Sequence, residues 1–503
     1  MRSQTKKTMI ALAITASFSL SSNAFADTSN TATITQTTVT AGSVVGQDAT
    51  VIQTGDLHIA DVNQQGDNQS AIVIQNGVWI EAYVDSKGNG NTVDVDQADD
   101  WHISTTNIDG NDNKATVMQL DFFNESTTDI TGNGNTSDVM QDGAQNEAVV
   151  ELLGDENTSV VNQEGSSNFG VFRVEGNGND GDITQMGDNN VAGLVSLDIT
   201  PNVGNNNDVE VYQEGNGNLG AVKGVAGDDN NFVVSQEGDN NTGFVYSLVG
   251  SENEIEIDQV GNSNTAYFAF TAGDDNDIEV NQDGNTNTIG DSLTAEIQGS
   301  DNVLRVDQDG NNNGAEFQIL GDENNISLDQ EGETNFATFA AYGDDNDISI
   351  ISDGDNNTAV AFTTLDDNQI EISQEGDDNY SYADVTGFGN EVDIEQDGNE
   401  NEALVTVVGF DNTDVEMTQD GDINLIDLII VGDENSALIA QTGDGNWVGG
   451  ESEEAFRVDG VNNSLTIAQV GNDNFVSGSQ TGANNAISVS QTGDFNSATV
   501  MQN

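Results

Sequence analysis

Cysteine is absent from this chain of 503 residues, proline occurs once, and 9 Lys+Arg stand against 88 Asp+Glu. The lack of cysteine excludes a disulfide framework and a thiolate metal site, while saying little about compartment. The scarcity of cations leaves a formal charge of -79, which excludes nucleic acid and anionic membrane as partners, because both are recognised through clustered Lys and Arg. No segment beyond the N-terminus is long and apolar enough to span a membrane. Acidity of this degree often signals disorder. Disordered chains, however, are rich in Lys and Pro, and here the apolar residues recur too regularly. The length allows two to four globular domains or one repeat array.

Compartment is legible at the start of the chain. Arg2, Lys6 and Lys7 are followed by a moderately apolar stretch, residues 9–20, and Ala24-Phe25-Ala26 forms a small-x-small cleavage site before Asp27. Residues 1–26 therefore read as a bacterial secretory signal peptide. Residues 27–50, rich in Thr, stand outside the repeat register and form a separate N-terminal segment. Residues 51–503 carry the repeats.

Glutamines recur 22 residues apart at Gln53, Gln75, Gln97, Gln119, Gln141, Gln163 and Gln185. The column continues through Gln213, Gln236, Gln259, Gln282, Gln308, Gln330, Gln374, Gln396, Gln419, Gln441, Gln469 and Gln491. Only Ser352 breaks it. Spacing is 22 or 23 throughout, except for three insertions, near Pro201, near Ile289 (289–298) and near Gly449 (449–455). A half-period of 11 lies within, as in Gln53, Gln64, Gln75 and in Gln469, Gln480, Gln491, Gln502. Each unit is thus two similar segments, seven residues of alternating Asn, Ile, Val and Gln followed by a four-residue turn bearing Gly with Asp or Asn.

Alternation of this kind is the signature of a strand with one face inward, and the Gly turns supply positive φ. One strand-turn-strand-turn coil cannot enclose a core, but a stack of them can. The expected fold is all-β, a two-sheet parallel β-solenoid of about twenty 22-23-residue coils whose inward amides bond the identical residues one rung above and below. The ladder residues are Gln53, Gln75, Gln141, Asn146, Gln163, Asn168, Gln236, Asn241, Gln282, Asn287, Gln330, Asn335, Gln374, Asn379, Gln396, Asn401, Gln441 and Asn446.

At the C-terminal end Gln491-x-Gly493-x-x-Asn496-x-Ala498-x-x-x-Gln502 resembles the curlin repeat, Q-x-G-x-x-N-x-A-x-x-x-Q, of the secreted bacterial subunits that polymerise into curli, a functional amyloid. The Q-x-G-x-x-N half recurs in register at Gln141, Gln163, Gln236, Gln330, Gln374 and Gln441. Familiar curlins resemble a shorter stack. Most midpoint segments here lack the final Gln, and early rungs replace turn Gly or Asn with Asp99, Asp121, His58, Ile80 and His102. The resemblance implies a subunit exported through the periplasm and a dedicated outer-membrane curli secretion channel, then assembled on a nucleating minor curlin into cell-surface biofilm fibres. Residues 27–50 occupy the place of the family's export-targeting segment.

Polymerisation also follows from the pattern itself. A solenoid ends in open strand edges, which soluble solenoids cover with polar caps, and no cap is visible. The assembly ends are expected at Gln53, Gln64 and Gln75 and at Gln469, Gln480, Gln491 and Gln502, where the 11-residue pattern is strictest. A heterologous contact between such ends gives an open filament of self with self.

Outward positions predict two unlike faces. After the Gln turns they are often apolar: Phe244, Tyr246, Tyr267, Phe336, Val360, Phe362, Tyr380, Tyr382, Leu425 and Ile429. Before the Gln they are acidic, as in Glu254, Glu256 and Asp258, or Glu391, Asp393 and Glu395. An apolar stripe of this length suggests lateral pairing or surface attachment. Aromatics that fill an exposed sheet for β-propensity are the plainer reading.

No catalytic constellation or cofactor motif is found, and the chain does not read as an enzyme. His58 and His102, two repeats apart at turn-Asn positions, read as substitutes for Asn rather than metal ligands. Acidic turns such as Gly273-Asp274-Asp275-Asn276 do not match the nine-residue period of calcium-binding β-rolls, so diffuse condensation of divalent cations is favoured over ordered sites. The rival functions are a monomeric surface adhesin and a carbohydrate-active β-helix enzyme. The latter's usual three-strand coil disagrees with the half-period.

Overall fold

The computed structural model describes residues 29–37, 46–194, 202–290, 295–450 and 454–503. The expected signal peptide, residues 1–26, and Pro201 lie outside them. The described chain is all-β without helix, and its two parallel sheets form a β-solenoid of about twenty turns. It divides into two units, Met1–Val233 and Val234–Asn503.

Alternation along each strand decides what is buried. In Thr136–Ala144 of the first unit, Ser137, Val139 and Gln141 point inward and are buried, while Thr136, Asp138 and Met140 point out. The chain then crosses to the second sheet as Glu147–Leu153 and returns as Thr158–Ser166. Pairing is parallel and in register, with Ser137 beside Ser159, Val139 beside Val161 and Gln141 beside Gln163. Such stacking sets like against like at every rung. Burial of each Val or Ile contributes roughly 1.5–3 kcal/mol, and Phe317 stacked on Phe339 at 5.8 Å adds an aromatic column to the core of the second unit.

The turns stack as closely as the strands. Gly354 adopts φ 119, and a Cβ there would lie 2.2 Å from the Gly376 carbonyl oxygen of the next coil. Where Asp99, Asp121 and Leu365 replace this glycine, φ retreats to 78, 70 and 77. Two residues after the glycine comes a left-handed position, which Asn and Asp adopt readily and a β-branched residue only at a cost. Ile423 holds it at φ 60 with its side chain 60% exposed. Ile423→Asn is therefore expected to raise stability by about 1 kcal/mol, read as slower hydrogen exchange in the adjoining strand Leu425–Val431.

All three insertions fall in the second sheet. They split its strands into Val191–Leu194 and Asn202–Val203, Thr288–Ile289 and Glu296–Gln298, and Trp447–Gly449 and Phe456–Val461, whose halves keep the register of the coil before. The sheet that carries the Gln column has no such break. Its amides bond from coil to coil and lose a partner if the rung slips, whereas the middle of the second sheet is packed chiefly by apolar contact.

The register also reaches further toward the N-terminus than expected. Thr31–Thr37 pairs in parallel with the second-sheet strand Ile59–Asp67, and places Gln36 beside Gln64. Asp48–Asp56 pairs likewise with Ser70–Val78. Part of the segment 27–50 thus belongs to the solenoid.

Candidate assembly site

Every glutamine of the column points inward. In the first unit each Nε2 donates to the Oε1 one coil on: Gln53 to Gln75 at 2.9 Å, Gln75 to Gln97 at 3.1 Å, Gln141 to Gln163 at 2.9 Å and Gln163 to Gln185 at 2.8 Å. In the second unit the same bond joins Gln236 to Gln259 and Gln282 to Gln308 at 2.7 Å, Gln308 to Gln330 at 2.8 Å, Gln374 to Gln396 at 3.0 Å, and Gln441 to Gln469 and Gln469 to Gln491 at 2.9 Å. The other N–H crosses the core to the second sheet, from Gln141 to the Glu125 carbonyl at 2.9 Å and from Gln163 to that of Glu147 at 3.0 Å. One amide therefore ties its coil both to the next coil and to the opposite sheet. At the gap, Ser352 Oγ donates to Gln374 Oε1 at 3.2 Å, and Ser381 lends a hydroxyl between Gln374 and Gln396 at 3.1 and 2.7 Å. Ser381 stands at the Ala position of the repeat, in register with Ala359 and Ala403, so its departure from Ala is the signal.

The turn asparagines bond the backbone as well as one another: Asn446 Nδ2 donates to Asn424 Oδ1 at 3.1 Å, and at the midpoint turns Asn135 Nδ2 donates to Asn113 Oδ1 at 3.1 Å. Asn146 Oδ1 accepts the backbone N–H of Asn168 at 3.0 Å, while its Nδ2 donates to the Gly165 carbonyl at 2.9 Å. Asn168, Asn241, Asn287, Asn335, Asn379, Asn401 and Asn446 are buried in the same place, each passing its Nδ2 to a neighbouring coil. His102 reproduces this pattern: Nδ1 accepts from the Asn124 backbone N–H at 3.2 Å, and Nε2 lies 2.7 Å from the Ala98 carbonyl. The ring must be neutral to do both. Turn carboxylates have the same structural use, for Asp344 Oδ1 accepts from the Asp322 backbone N–H at 2.8 Å and Asp366 Oδ1 from that of Asp344 at 3.0 Å.

The second sheet carries Gln at its outermost coils and mostly apolar residues between, with Ser86, Thr271 and Thr363 among the polar members. Gln36 donates to Gln64 at 2.7 Å, and Gln480 meets Gln502 at 3.5 Å. In the first unit Gln64 is followed in register by Ser86, Ile108 and Ile130. Gln36 was absent from the expected ends. Its signal is its distance of 28 residues from Gln64, the step also found across two of the insertions.

Strand edges and amides at the two ends are complementary in kind. Among the described residues, Ala486–Thr492 pairs only with Ser464–Val470, and Asp48–Asp56 only with Ser70–Val78, so the Gln sheet is an open ladder. Gln53 Oε1 accepts from no described residue, and Gln491 Nε2 donates only to the Phe475 carbonyl, at 3.1 Å. Ser464 donates its backbone N–H forward to the Asn485 carbonyl at 2.8 Å. By strand alternation, Ala486, Ser488 and Ser490 aim theirs beyond the last coil. These terminal strands are also nearly free of charge, Asp48 and Asp56 being the exceptions among Thr31–Thr37, Asp48–Asp56, Ala486–Thr492 and Ser497–Gln502.

The outer faces diverge as expected only in the second unit. There the second sheet presents Phe336, Tyr380, Phe388, Val408 and Phe410 to solvent, whereas in the first unit the same face bears Thr105, Asn107, Thr127 and Asp129. The first unit has instead a corner column of Trp79, Trp101 and Phe123, stacked at 4.5 and 5.9 Å with left-handed φ of 64, 68 and 63. On the Gln-sheet face of the second unit, Glu371, Asp393 and Glu416 stand in register on consecutive coils. Partial burial, then Glu371, Glu416, Glu395 and Glu391, pushes the Asp393 carboxyl up to about 6. His102 moves the other way, its pKa lowered by burial from 6.5.

The signs give a local pH test. A raised acid binds more protons when folded, so acidification from about 6 toward 3.8 stabilises the Asp393 coil. A lowered histidine contributes stability above 6.5 that is lost as pH falls below it. After correction for intrinsic rates, hydrogen exchange in Glu391–Asp397 is expected to slow between about pH 7 and about 4.5, and that in the strand after His102, Ile103–Asn111, to quicken. Asp393→Asn should abolish the first response alone.

The Curlin associated repeat family matches residues 132–165, 204–238, 227–261, 250–284, 299–332, 321–354, 366–398, 389–421 and 460–493. No curated protein matches the chain. With these nine matches covering more than half of the sequence, and a coil of two parallel strands closed by Gln and Asn ladders beneath them, the chain belongs to the curlin repeat family.

Proposed function

We propose that this protein is a secreted structural subunit that polymerises head-to-tail into curli-like amyloid fibres at the bacterial surface, for adhesion and biofilm matrix. The curlin repeat family is structural rather than catalytic. The observation that carries the reading is the polarity of the Gln column. Its one end holds an acceptor without a donor, Gln53 Oε1, and its other a donor with one N–H to spare, Gln491 Nε2.

Continuing the pairing across two copies puts Ile487, Val489 and Gln491 on Ala49, Val51 and Gln53 in one sheet. Apolar residues meet apolar residues and amide meets amide there, in strands almost free of the carboxylates that cover the rest of the chain. The second sheet has one coil more than the Gln sheet, so its terminal strands Thr31–Thr37 and Ser497–Gln502 cannot both keep their places at that contact. The contact is heterologous and translational, hence an open filament rather than a closed ring. In this reading the chain is exported across the outer membrane and assembles on a nucleating minor curlin. Electron microscopy and fibre diffraction of the purified protein test the reading. Fibres with a cross-β repeat of about 4.8 Å along the axis are expected. Stable monodisperse monomers under all salt conditions would overturn it in favour of a monomeric adhesin.

A further inference from the structure

In the second unit, five consecutive strands of the second sheet, Phe336–Tyr342, Thr358–Thr364, Tyr380–Phe388, Glu402–Phe410 and Leu425–Val431, turn an apolar face outward. Phe362 and Tyr382 stand at its centre, edge to face with ring centroids 6.2 Å apart, and Phe388 lies over Phe410 at 5.6 Å. Three carboxylates interrupt it, Asp384, Glu402 and Asp427, and burial raises the pKa of Asp384 and Asp427. By contrast, one strand of the opposite face, Glu391–Asp397, carries four outward carboxylates.

We infer that this face is a lateral contact between two copies of the chain, packed sheet on sheet with their acidic faces outermost. Charge selects the occupant and the orientation. Each copy carries -79, so two copies can approach broadside only through the surface where like charges are fewest. Size agrees. Five strands at about 4.8 Å, each seven residues of about 3.3 Å, cover about 550 Å² per copy and about 1,100 Å² in all, just past the roughly 1,000 Å² that a specific interface needs. Because the same patch serves both partners, the contact is isologous and closes at two copies. In a fibre it pairs two solenoids side by side; in solution it makes a dimer.

The pairing rests on the solenoid and not on its polymerisation, and sedimentation equilibrium of the soluble full chain tests it. In 0.5 M salt, which shortens the Debye length to roughly 4 Å, a dimer is expected, weakened at least about tenfold at 10 mM salt. Combined Phe362→Thr and Tyr382→Thr, which keep strand propensity, should return it to monomer. Leu438→Thr, an exposed apolar residue on the opposite face, should not. Ser488→Pro, which blocks the strand edge at the end of the stack, must leave the dimer intact. If Ser488→Pro abolishes it, the contact is end to end and the lateral reading falls while the head-to-tail one stands. A monomer in high salt, a dimer indifferent to the double substitution, or monomers that adsorb to neutral lipid vesicles through this face each overturn the inference.

Discussion

Gln141→Ala is expected to be among the most damaging single side-chain changes in the first unit. Gln141 is fully buried, and its removal strips partners from Gln119 Nε2, Gln163 Oε1 and the Glu125 carbonyl, bonded to it at 2.8, 2.9 and 2.9 Å. Each orphaned group costs about 1–3 kcal/mol, and with some relaxation of the neighbours the total is about 3–5 kcal/mol. Water cannot make up the loss, because coils lie above and below. Gln491→Ala leaves only Gln469 and the Phe475 carbonyl short, at an end that solvent reaches, and should cost about 1 kcal/mol. Hydrogen exchange separates the two. Amides of Thr136–Ala144 should lose at least about 100-fold in protection, and those of Ala486–Thr492 no more than about tenfold. Equal losses would mean that the ladder is decoration on an apolar core. Gln374→Ala should be milder than Gln141→Ala, since Ser381 already bonds Gln396 at 2.7 Å and can hold it.

Ser488→Pro is expected to stop fibre growth while leaving the chain folded. The N–H that proline removes points past the last coil and has no partner within the described chain, so the internal ladder keeps its bonds. An incoming copy would lose that bond and meet the ring. The penalty of about 3 kcal/mol or more corresponds to elongation slower by at least about 100-fold in seeded thioflavin kinetics. An unchanged rate would move the growing end elsewhere. Salt should act in the opposite sense. The docking strands hold few charges, yet the columns behind them repel by about 0.8 kcal/mol per neighbouring pair even in water, so added salt, divalent cations or a pH near 4 should all shorten the lag. Flat lag times across all three would leave the acidic surface without a part in assembly.

The repeat made most of the architecture legible. A column of Gln every 22 or 23 residues, with a half-period inside it, leaves a two-sheet parallel coil as the simplest arrangement that keeps one face inward. The role of His102 was legible for the same reason, since a position in a repeat inherits the bonds of its column. Where the period lapsed, legibility lapsed too. Gln36 was hidden by an irregular step, and Ser381 by standing in a column of alanines, which make no side-chain hydrogen bonds. The apolar face was read for the whole solenoid from residues that all belong to the second unit.

What the sequence alone determined was therefore the rung: its length, which residues turn inward, where glycine is needed, and the strict registry of like with like. Those follow from local conformational preference and from a period of two, both of which act within a few residues. Tertiary structure decided the rest. Only stacking shows that the Gln amide spends its second N–H across the core on Glu125, that the turn asparagine answers a backbone N–H as well as its own kind, and that the strands flanking the insertions all lie in one sheet. Only stacking, too, brings Glu371, Asp393 and Glu416 from separate coils into one column and raises a carboxyl among them to about 6. Interactions between residues 16 to 28 positions apart depend on how closely one coil settles on the next, and no local pattern encodes that distance.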